Sequence, residues 1–578
     1  MNRTQFRNTG STLRVLLALI AASLWGGCTL QPAAPATAEP PHLEQRGAAT
    51  QLIVAGKPWL VLGCELGNST ASSREYMESV WPRLQASGVN TVLAVVSWEQ
   101  TEPVEGEFDF TVVDGLLADA RARGMKLALL WFGSWKNGIT SYTPTWVKRD
   151  TERFPLARTP EGRPLPILST LGAESCAADA RAFAALMRHL REVDAAEQTV
   201  VLMQIENGVG LHGHPRDFGP QAEAAFRSAV PEALPAWLTA HRDELLPETR
   251  TAWEAGGCRT AGTWEELFGR NDRAAELFMA WHYAAYMEQI AAAGRAEYDL
   301  PTFVNAWIVQ PEDTRPGNYP SGGPQAQNHD IWRAAAPHID LLSPDIYLDD
   351  FPAIAALYSR GGNALFVPES RSGQNGAANA AYAIGAMQAI GYSPFGFERN
   401  CDQPVNESFC RFYRQAGRIA DRILAAQAEG RIGAAWLKGA DPMRVKQEIR
   451  LGDVRICCEL VSSGMRNGGA PQLTGGTYDP AAIGYLLAIR EADDWLFLGS
   501  NVRVTFLPAD GRGYVGLAKV TEGEFDTQGA WREGRWLNGD EIQLRYDLLY
   551  AVDEGFSGQG LNFGTPDPQF LRVELFNY

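Results

Sequence analysis

The sequence predicts an α/β protein, a (β/α)8 TIM barrel followed by a C-terminal all-β, sandwich-like domain. Short apolar runs alternate with helical patterns about eight times from residue 51 onward, and this number of units closes such a barrel. After residue 430 the pattern changes to short strands separated by Gly, Asp and Asn. The chain of 578 residues is long enough for both domains.

The barrel is predicted to span residues 51–430. Its strands are short and mostly apolar, as parallel strands covered on both faces must be. The predicted strands are 59–64, 89–96, 126–132, 199–205, 301–307, 339–347, 364–368 and 393–397. A long segment, 210–263, interrupts the alternation and is a candidate lid or substrate loop. Residues 431–578 form the predicted β domain.

The N-terminus is predicted to be an export signal over residues 1–28. Three arginines precede a short apolar stretch, which ends before Gly26-Gly27-Cys28. Cys28 after two small residues is typical of a lipidation site, so we expect a periplasmic protein or a lipoprotein anchored to the bacterial outer membrane. Plain secretion is the alternative. Residues 29–50, rich in Ala, Pro and Glu, are predicted to be a flexible linker.

Composition excludes several classes of partner. The formal charge of −17 argues against a nucleic-acid partner and against a polyanionic substrate. We expect no cofactor, because the Gly-rich stretches lack the context of a nucleotide site. We expect no metal, because His212 and His214 have neither Cys nor an acidic cluster nearby. The cysteines form no paired C-x-x-C motif, and Cys401 with Cys410 is the first disulfide to test.

Two predicted strands end in a carboxylate. The fourth strand runs into Glu206 and the seventh into Glu369. In a barrel of this kind, catalysis takes place where the strands end, so the two side chains are expected to open onto one pocket. Hydrolysis of an acetal needs two carboxyl groups beside the scissile bond, which are about 5–5.5 Å apart in a retaining enzyme. A solvated rim charge is the alternative for either residue alone.

Two motifs resemble those of family 35 glycoside hydrolases, the β-galactosidase-like retaining enzymes. Gln204-Ile205-Glu206-Asn207-Gly208-Val209-Gly210 resembles the motif of the fourth strand. The stretch from Gly88 to Phe110, with Trp98-Glu99-Gln100-Thr101-Glu102-Pro103, is similar to the motif of the second strand. The loop 132–138 departs from that of the animal and plant members and resembles that of a bacterial branch, which has its own β-rich C-terminal domain. The resemblance covers residues 50–425.

The resemblance implies that Glu369 is the nucleophile. It also shows a departure, because the family places its acid/base glutamate after the Asn, whereas Gly208 follows Asn207 here. Three interpretations remain open. Glu206 supplies the proton, with its side chain on the same face of the strand as position 208; another carboxyl, Glu65 or Glu398, supplies it; or the chain is a weakened or decayed member that still binds sugar.

Further strand-end residues are predicted to bind the substrate. Asn207 is expected to bond the sugar 2-hydroxyl, and Tyr347 to donate to Glu369. The other candidates are aromatic platforms or polar side chains at strand ends: Trp98, Trp135, Lys136, Asn137, Trp307, Glu65 and Glu398. The sequence therefore predicts an exported retaining glycosidase of β-galactosidase type, acting on plant oligo- or polysaccharide. A decayed, carbohydrate-binding surface protein is the alternative.

Overall fold

A computed structural model describes residues 39–461, 478–492, 494–543, 557–564 and 567–578 of the chain. The predicted export signal, Cys28 and residues 29–38 of the predicted linker lie outside these described residues. No helix in the described part of the chain is both long enough and apolar enough to cross a lipid bilayer.

The predicted linker is folded in its second half. Three antiparallel strands form a small sheet: β1 (His42–Arg46), β2 (Ala49–Val54) and β3 (Lys57–Trp59). Leu52 and Val54 are buried and pack into the interior of the barrel, with Leu43 against them. The expectation of a flexible tether up to residue 50 is therefore wrong, because these alternating apolar residues cover one end of the barrel.

Eight parallel strands close into a barrel, as predicted. They are β4 (Val61–Glu65), β5 (Thr91–Ser97), β6 (Lys126–Lys136), β9 (Val200–Asn207), β10 (Thr302–Trp307), β11 (Leu341–Ile346), β12 (Phe366–Ser370) and β13 (Gly391–Pro394). A hairpin of β7 (Leu156–Arg158) and β8 (Pro164–Leu168) precedes β9. Each barrel strand coincides with a predicted strand to within a few residues.

The helices lie outside this ring. They are α1 (Arg74–Glu78), α2 (Trp81–Ser87), α3 (Trp98–Thr101), α4 (Thr111–Arg121), α5 (Thr145–Arg149), α6 (Ala173–Asp194), α7 (Pro220–Arg227), α8 (Ala233–Ala240), α9 (Pro247–Ala255), α10 (Trp264–Phe268), α11 (Asp272–Glu297), α12 (His329–Ala335), α13 (Phe351–Tyr358), α14 (Gly373–Gly385), α15 (Glu407–Arg418) and α16 (Ala420–Ala428). The interrupting segment 210–263 contains three of these short helices, α7 to α9.

Two layers of apolar side chains hold the barrel together. An inner cluster fills the ring with residues such as Leu93, Leu130 and Phe303. A larger outer cluster packs the strands against the helices, and Trp131 and Ile205 belong to it. Because neighbouring strand residues alternate between these layers, the carboxyl ends of the strands direct every second side chain into the barrel mouth.

The C-terminal domain consists of two antiparallel sheets, as predicted. Its strands are β14 (Ile432–Lys438), β15 (Lys446–Leu451), β16 (Val454–Leu460), β17 (Ile483–Arg490), β18 (Trp495–Ser500), β19 (Val502–Pro508), β20 (Val515–Phe525), β21 (Trp531–Trp536), β22 (Gly560–Phe563) and β23 (Gln569–Asn577). The order β14-β17-β18-β23-β20-β21 forms one sheet and β15-β16-β19-β22 the other. Side chains of both sheets, among them Phe497 and Val504, share one core.

The seven cysteines of the described residues are free thiols. Cys410 lies close to Cys401, with its Sγ 3.2 Å from the Cys401 carbonyl oxygen. Cys401 and Cys410, the pair predicted as the first disulfide to test, are therefore adjacent but not bonded in this structure.

Candidate active site

Glu369 lies near the end of β12 and faces the barrel mouth, where its side chain is 8% exposed. Three neutral groups donate to its carboxyl oxygens. The Tyr347 hydroxyl is 3.0 Å from Oε2, and the amide nitrogens of Asn207 and Asn305 are 3.4 and 3.3 Å from Oε1. Donors of this kind stabilise the ionised form of a carboxyl group. The burial of the Tyr347 hydroxyl and the neighbouring charge of Glu369 raise the pKa of Tyr347, which keeps this donor protonated.

Two further carboxyl groups surround Glu369. Asp345 is its neighbour on β11, paired in register, and accepts a hydrogen bond of 2.9 Å from Asn305. Glu65 is the last residue of β4 and is completely buried. Burial, and then the charge of Glu369, raise the pKa of both Glu65 and Asp345 well above the usual range. The cluster therefore favours two neutral carboxyls beside Glu369.

Lys136 places its ammonium group in this cluster. It lies at the end of β6, and its Nζ donates to Asn207 Oδ1 at 2.8 Å and to Asn137 Oδ1 at 3.3 Å. Lys136 is buried, while Asn137 beside it is exposed at the rim. The positive charge of Lys136 opposes the upward shift in the pKa of Glu65 and of Asp345.

Gly208 stands where the resembling family has its acid/base glutamate. Its backbone N–H donates to Asn305 Oδ1 at 2.9 Å, and its φ of +55° is left-handed. A Cβ at this position would lie 3.1 Å from Asn137 Oδ1. The position therefore adjoins the cluster at Asn137 and Asn305 but contributes no side chain.

The structure does not bring Glu206 to Glu369. Its two oxygens accept the backbone N–H groups of residues 133, 134 and 135, at 3.2, 2.8 and 2.7 Å, where β6 is irregular. Its carboxyl also adjoins Asp179 of α6, outside the ring of strands. Burial, and then the charge of Asp179, raise the pKa of Glu206 well above its usual range, and burial raises the pKa of Asp179 as well. The two carboxyls together therefore favour holding a proton.

The sequence expectation for Glu206 fails because of one backbone angle. The residue before it, Ile205, packs into the outer core, so regular alternation would direct Glu206 into the barrel. Glu206 has a φ of +58°, in the left-handed region, and its side chain stays on the outer side while Asn207 points inward. The expectation that Glu206 shares a face with position 208 is therefore wrong.

Only one of the three predicted tryptophan platforms is accessible. Trp98 is fully buried, with its indole N–H bonded to Glu102, and Trp135 is fully buried against α11. Neither side chain reaches the mouth. Trp307 at the end of β10 is 41% exposed and packs edge-on against His212, with ring centroids 5.2 Å apart.

Glu398 lies outside the cluster as well. Its Oε1 accepts from the backbone N–H of Gly67 and the hydroxyl of Thr70, at 3.0 and 2.9 Å. This carboxyl therefore holds the loop that follows β4, and the structure gives no contact between it and Glu369.

Sequence reasoning missed Asn305 and Asp345 as site residues. Both are polar residues near the ends of otherwise apolar barrel strands, β10 and β11, and that pattern is the signal that could have revealed them. In the part of the chain that the structure describes, no group of three or more His, Cys, Asp or Glu side chains is arranged to hold a metal ion.

A closed parallel barrel with a donor-held carboxylate at its mouth has the architecture and the group from which glycosidic bonds are attacked. Residues 69–268 match the family model of glycoside hydrolase 42, described as β-galactosidase. The chain is a glycoside hydrolase. The matching model is that of family 42, so the predicted membership of family 35 is not supported specifically. Residues 409–548 match a domain of unknown function, DUF5597.

Several solved structures are similar to part of this chain. The catalytic domain of a β-amylase from Paenibacillus polymyxa is 11% identical, with a TM-score of 0.43 over 61% of this chain and 96% of that one. β-Galactosidases from Marinomonas ef1 and Bacillus circulans sp. alkalophilus are each 14% identical, each with a TM-score of 0.42 over 64% of this chain. The chain spans 60% and 57% of these two. No curated protein matches the sequence.

Proposed function

We propose that this glycoside hydrolase is an exported retaining enzyme that removes terminal β-galactosyl residues, with Glu369 as the nucleophile. The observation that carries the proposal is the environment of Glu369. It is a carboxyl at the barrel mouth, 8% exposed, and three neutral donors hold it. A nucleophilic carboxylate needs to be ionised and fixed in direction before the sugar arrives, and this arrangement provides both.

The first half of the reaction uses groups at the mouth. An oxygen of Glu369 attacks the anomeric carbon, the bond to the leaving-group oxygen breaks, and a glycosyl ester of Glu369 forms. Asn207 is inward-facing beside Glu369, within reach of the 2-hydroxyl next to that carbon. Hydrogen bonds to this hydroxyl strengthen in the transition state, so Asn207 assists at the point where the barrier is highest.

The leaving group receives no proton from position 208. General acid catalysis raises the rate about 10²–10⁴-fold. Its loss therefore lowers the rate most for leaving groups that are unstable as anions. Since Gly208 has no side chain and Glu206 is bonded outside the ring of strands, the enzyme is expected to favour glycosides with acidic leaving groups. In the second half, water attacks the ester, its proton passes to solvent, and Glu369 is released as a carboxylate.

Three observations support the sugar that is removed, the oligosaccharide to which it is attached and the location of the protein. The family model that matches is described as β-galactosidase, and the sequence resemblance points to the same sugar. Trp307 offers an exposed aromatic face at the rim, of the kind on which sugar rings stack, which suits a plant oligosaccharide. The basic and apolar pattern of residues 1–28 supports export to the periplasm, and Cys28 after two glycines supports a lipid anchor on the outer membrane, with plain secretion as the alternative.

A leaving-group series tests the proposal. Hydrolysis of aryl β-galactosides with phenols of graded acidity is measured for the wild type and for Glu369→Gln. We expect turnover that falls steeply as the phenol becomes less acidic, galactose released first as the β-anomer, and no turnover for Glu369→Gln. The matched control is Glu398→Gln, because the amide oxygen can still accept from Gly67 and Thr70 and the residue lies outside the cluster.

Other outcomes separate the alternatives. Binding of galactosides without turnover of the most activated substrate identifies a carbohydrate-binding protein with a decayed site and contradicts the proposal. Turnover that survives in Glu369→Gln removes Glu369 from the nucleophile role. Products longer than single sugars from an oligosaccharide show internal cleavage instead of terminal removal.

A further inference from the structure

Glu65 is a buried carboxyl group for which the reaction above has no use. It ends β4 at the carboxyl end of the barrel, and no part of its side chain is accessible to solvent. Neither Oε1 nor Oε2 has a hydrogen-bond donor among the described residues. A buried carboxyl without donors is costly in its ionised form, so this residue requires an explanation.

The side chain that Glu65 faces is Glu369. The two side chains adjoin each other at the barrel mouth, where their strands β4 and β12 are in contact on either side of β13. Two carboxyls at this separation do not both ionise, because each charge opposes the other; the pair holds one proton. A proton between them also supplies the hydrogen bond that Glu65 otherwise lacks.

The surroundings decide which carboxyl carries the proton. Glu369 accepts from the hydroxyl of Tyr347 and the amides of Asn207 and Asn305, and these donors favour its ionised form. Glu65 has no such donors and is the more deeply buried of the two, 0% exposed against 8%. The proton therefore resides on Glu65, and its O–H points to Glu369.

We propose that Glu65 is a positioning residue which, as a neutral carboxylic acid, donates a hydrogen bond to Glu369 and so fixes the nucleophile. This inference rests on the proposed function of Glu369. Glu65 does not touch the substrate, since it has no accessible surface, and it acts through the carboxylate in front of it. Burial, and then the charge of Glu369, raise the pKa of Glu65 well above its usual range, which agrees with a retained proton.

A proton on Glu65 makes the activity of the enzyme depend on pH. Retaining glycosidases lose activity in alkaline solution when their acid/base carboxyl ionises. Position 208 carries no such group here, so we expect any alkaline loss of activity to come from the ionisation of Glu65. When Glu65 loses its proton, Glu369 loses a donor and gains a negative neighbour. The other titratable groups around Glu65 are Lys136, Asp345, Tyr347 and Cys64.

The test compares pH profiles of kcat/KM on an activated dinitrophenyl β-galactoside, from about pH 5 to about pH 9. Glu65→Gln keeps an N–H donor toward Glu369 at every pH. We expect it to retain activity within about tenfold at neutral pH and to lose the alkaline decline. Glu65→Leu removes the donor, and we expect its activity to fall roughly 10- to 100-fold. Asp345→Asn is the control, which leaves the alkaline decline in place.

Two results would overturn the proposal. One is an alkaline decline in Glu65→Gln that is identical to the wild type, and the other is a decline that disappears in Asp345→Asn instead. A second measurement does not need turnover. Infrared difference spectra at neutral pH, wild type minus Glu65→Gln, should show the C=O band of a protonated carboxyl. If no variant hydrolyses any galactoside, the proposed function fails, while this band still decides whether Glu65 holds the proton.

Discussion

The hydroxyl of Tyr347 donates a hydrogen bond to Oε2 of Glu369, with 3.0 Å between the two oxygens. Tyr347 follows β11 and Glu369 lies on β12, so adjacent strands supply the donor and the acceptor. Tyr347 is the most exposed of the three neutral donors to this carboxylate, at 37%. It is therefore the donor that is most accessible from solvent.

Tyr347→Phe is expected to lower kcat/KM by roughly 10- to 100-fold, because the loss of a hydrogen bond to an ionised group leaves Glu369 less well fixed. The free energy of unfolding should change by no more than about 1 kcal/mol, since the ring is retained at a partly exposed position. Steady-state kinetics and urea denaturation check the two expectations. Unchanged kinetics would mean that the hydrogen bond has no part in catalysis.

Gly208→Glu is expected to raise turnover of an unactivated β-galactoside, by up to the ~10²–10⁴-fold that general acid catalysis contributes. The backbone opposes the change, because the φ of +55° costs about 1 kcal/mol in a residue with a side chain, and the new Cβ would lie 3.1 Å from Asn137 Oδ1. The measurement is the rate on methyl β-galactoside relative to that on the dinitrophenyl glycoside.

A second variant controls for the close contact between residues 208 and 137. Asn137→Gly with Gly208→Glu removes the close side chain, and glycine suits the φ of +51° at position 137. If the double variant folds and still shows no gain on the unactivated substrate, the alignment of position 208 with an acid/base residue is wrong.

Azide is expected to accelerate turnover of the wild-type enzyme on activated galactosides. A small anionic nucleophile needs no base to attack the glycosyl ester, and no side chain at position 208 excludes it. The gain should reach up to about 10²-fold if ester breakdown limits the rate. The product should be β-galactosyl azide, identified by its NMR coupling constants. Glu369→Gln should form none; an α-configured azide would show direct displacement without the ester.

The stability of the folded chain should fall with rising pH through the pair Glu206 and Asp179. Their raised pKa values mean that the folded state binds a proton more tightly than the unfolded state. The resulting stabilisation is full below the ordinary carboxyl range and is lost as the pH rises toward the raised values. Urea denaturation between about pH 5 and about pH 8 measures the slope.

Glu206→Gln is the variant for this prediction. It should flatten the slope and cost about 1–3 kcal/mol at acid pH, because an amide cannot accept all three backbone N–H groups of residues 133–135. The exposed Glu574→Gln should match the wild type at every pH. A slope that Glu206→Gln leaves unchanged would place the proton elsewhere.

The barrel could be predicted because its information is local. Each strand is a short and mostly apolar run, as burial on both faces of a parallel sheet requires whatever the neighbouring strands are. Glu369 was found for the same reason, since it ends one of these runs. The β domain was predicted in kind, because its short strands are separated by Gly, Asp and Asn.

The failures at the site have a different origin. The outward turn of Glu206 depends on three N–H groups that the irregular end of β6 presents, 71 to 73 residues away in sequence. The side chains of Trp98 and Trp135 point into the helix layer instead of the barrel mouth. The indole of Trp98 donates to Glu102, and that of Trp135 packs against α11. These directions follow from contacts between distant segments, which periodicity along one strand does not encode.

The helix α14 begins three residues after Ser370, the end of the strand that carries Glu369, and its far side is covered by the β domain. Asn379 accepts from the indole N–H of Trp436 at 2.9 Å, and Gly385 lies so close to Leu487 that a methyl group there would come within 2.4 Å of it. A chain cut after residue 430 would leave this alanine-rich flank in water. Recombinant production of the barrel alone is therefore a poor route to active enzyme. A foreign C-terminal domain would have to pack as closely against Gly385 as Leu487 does here.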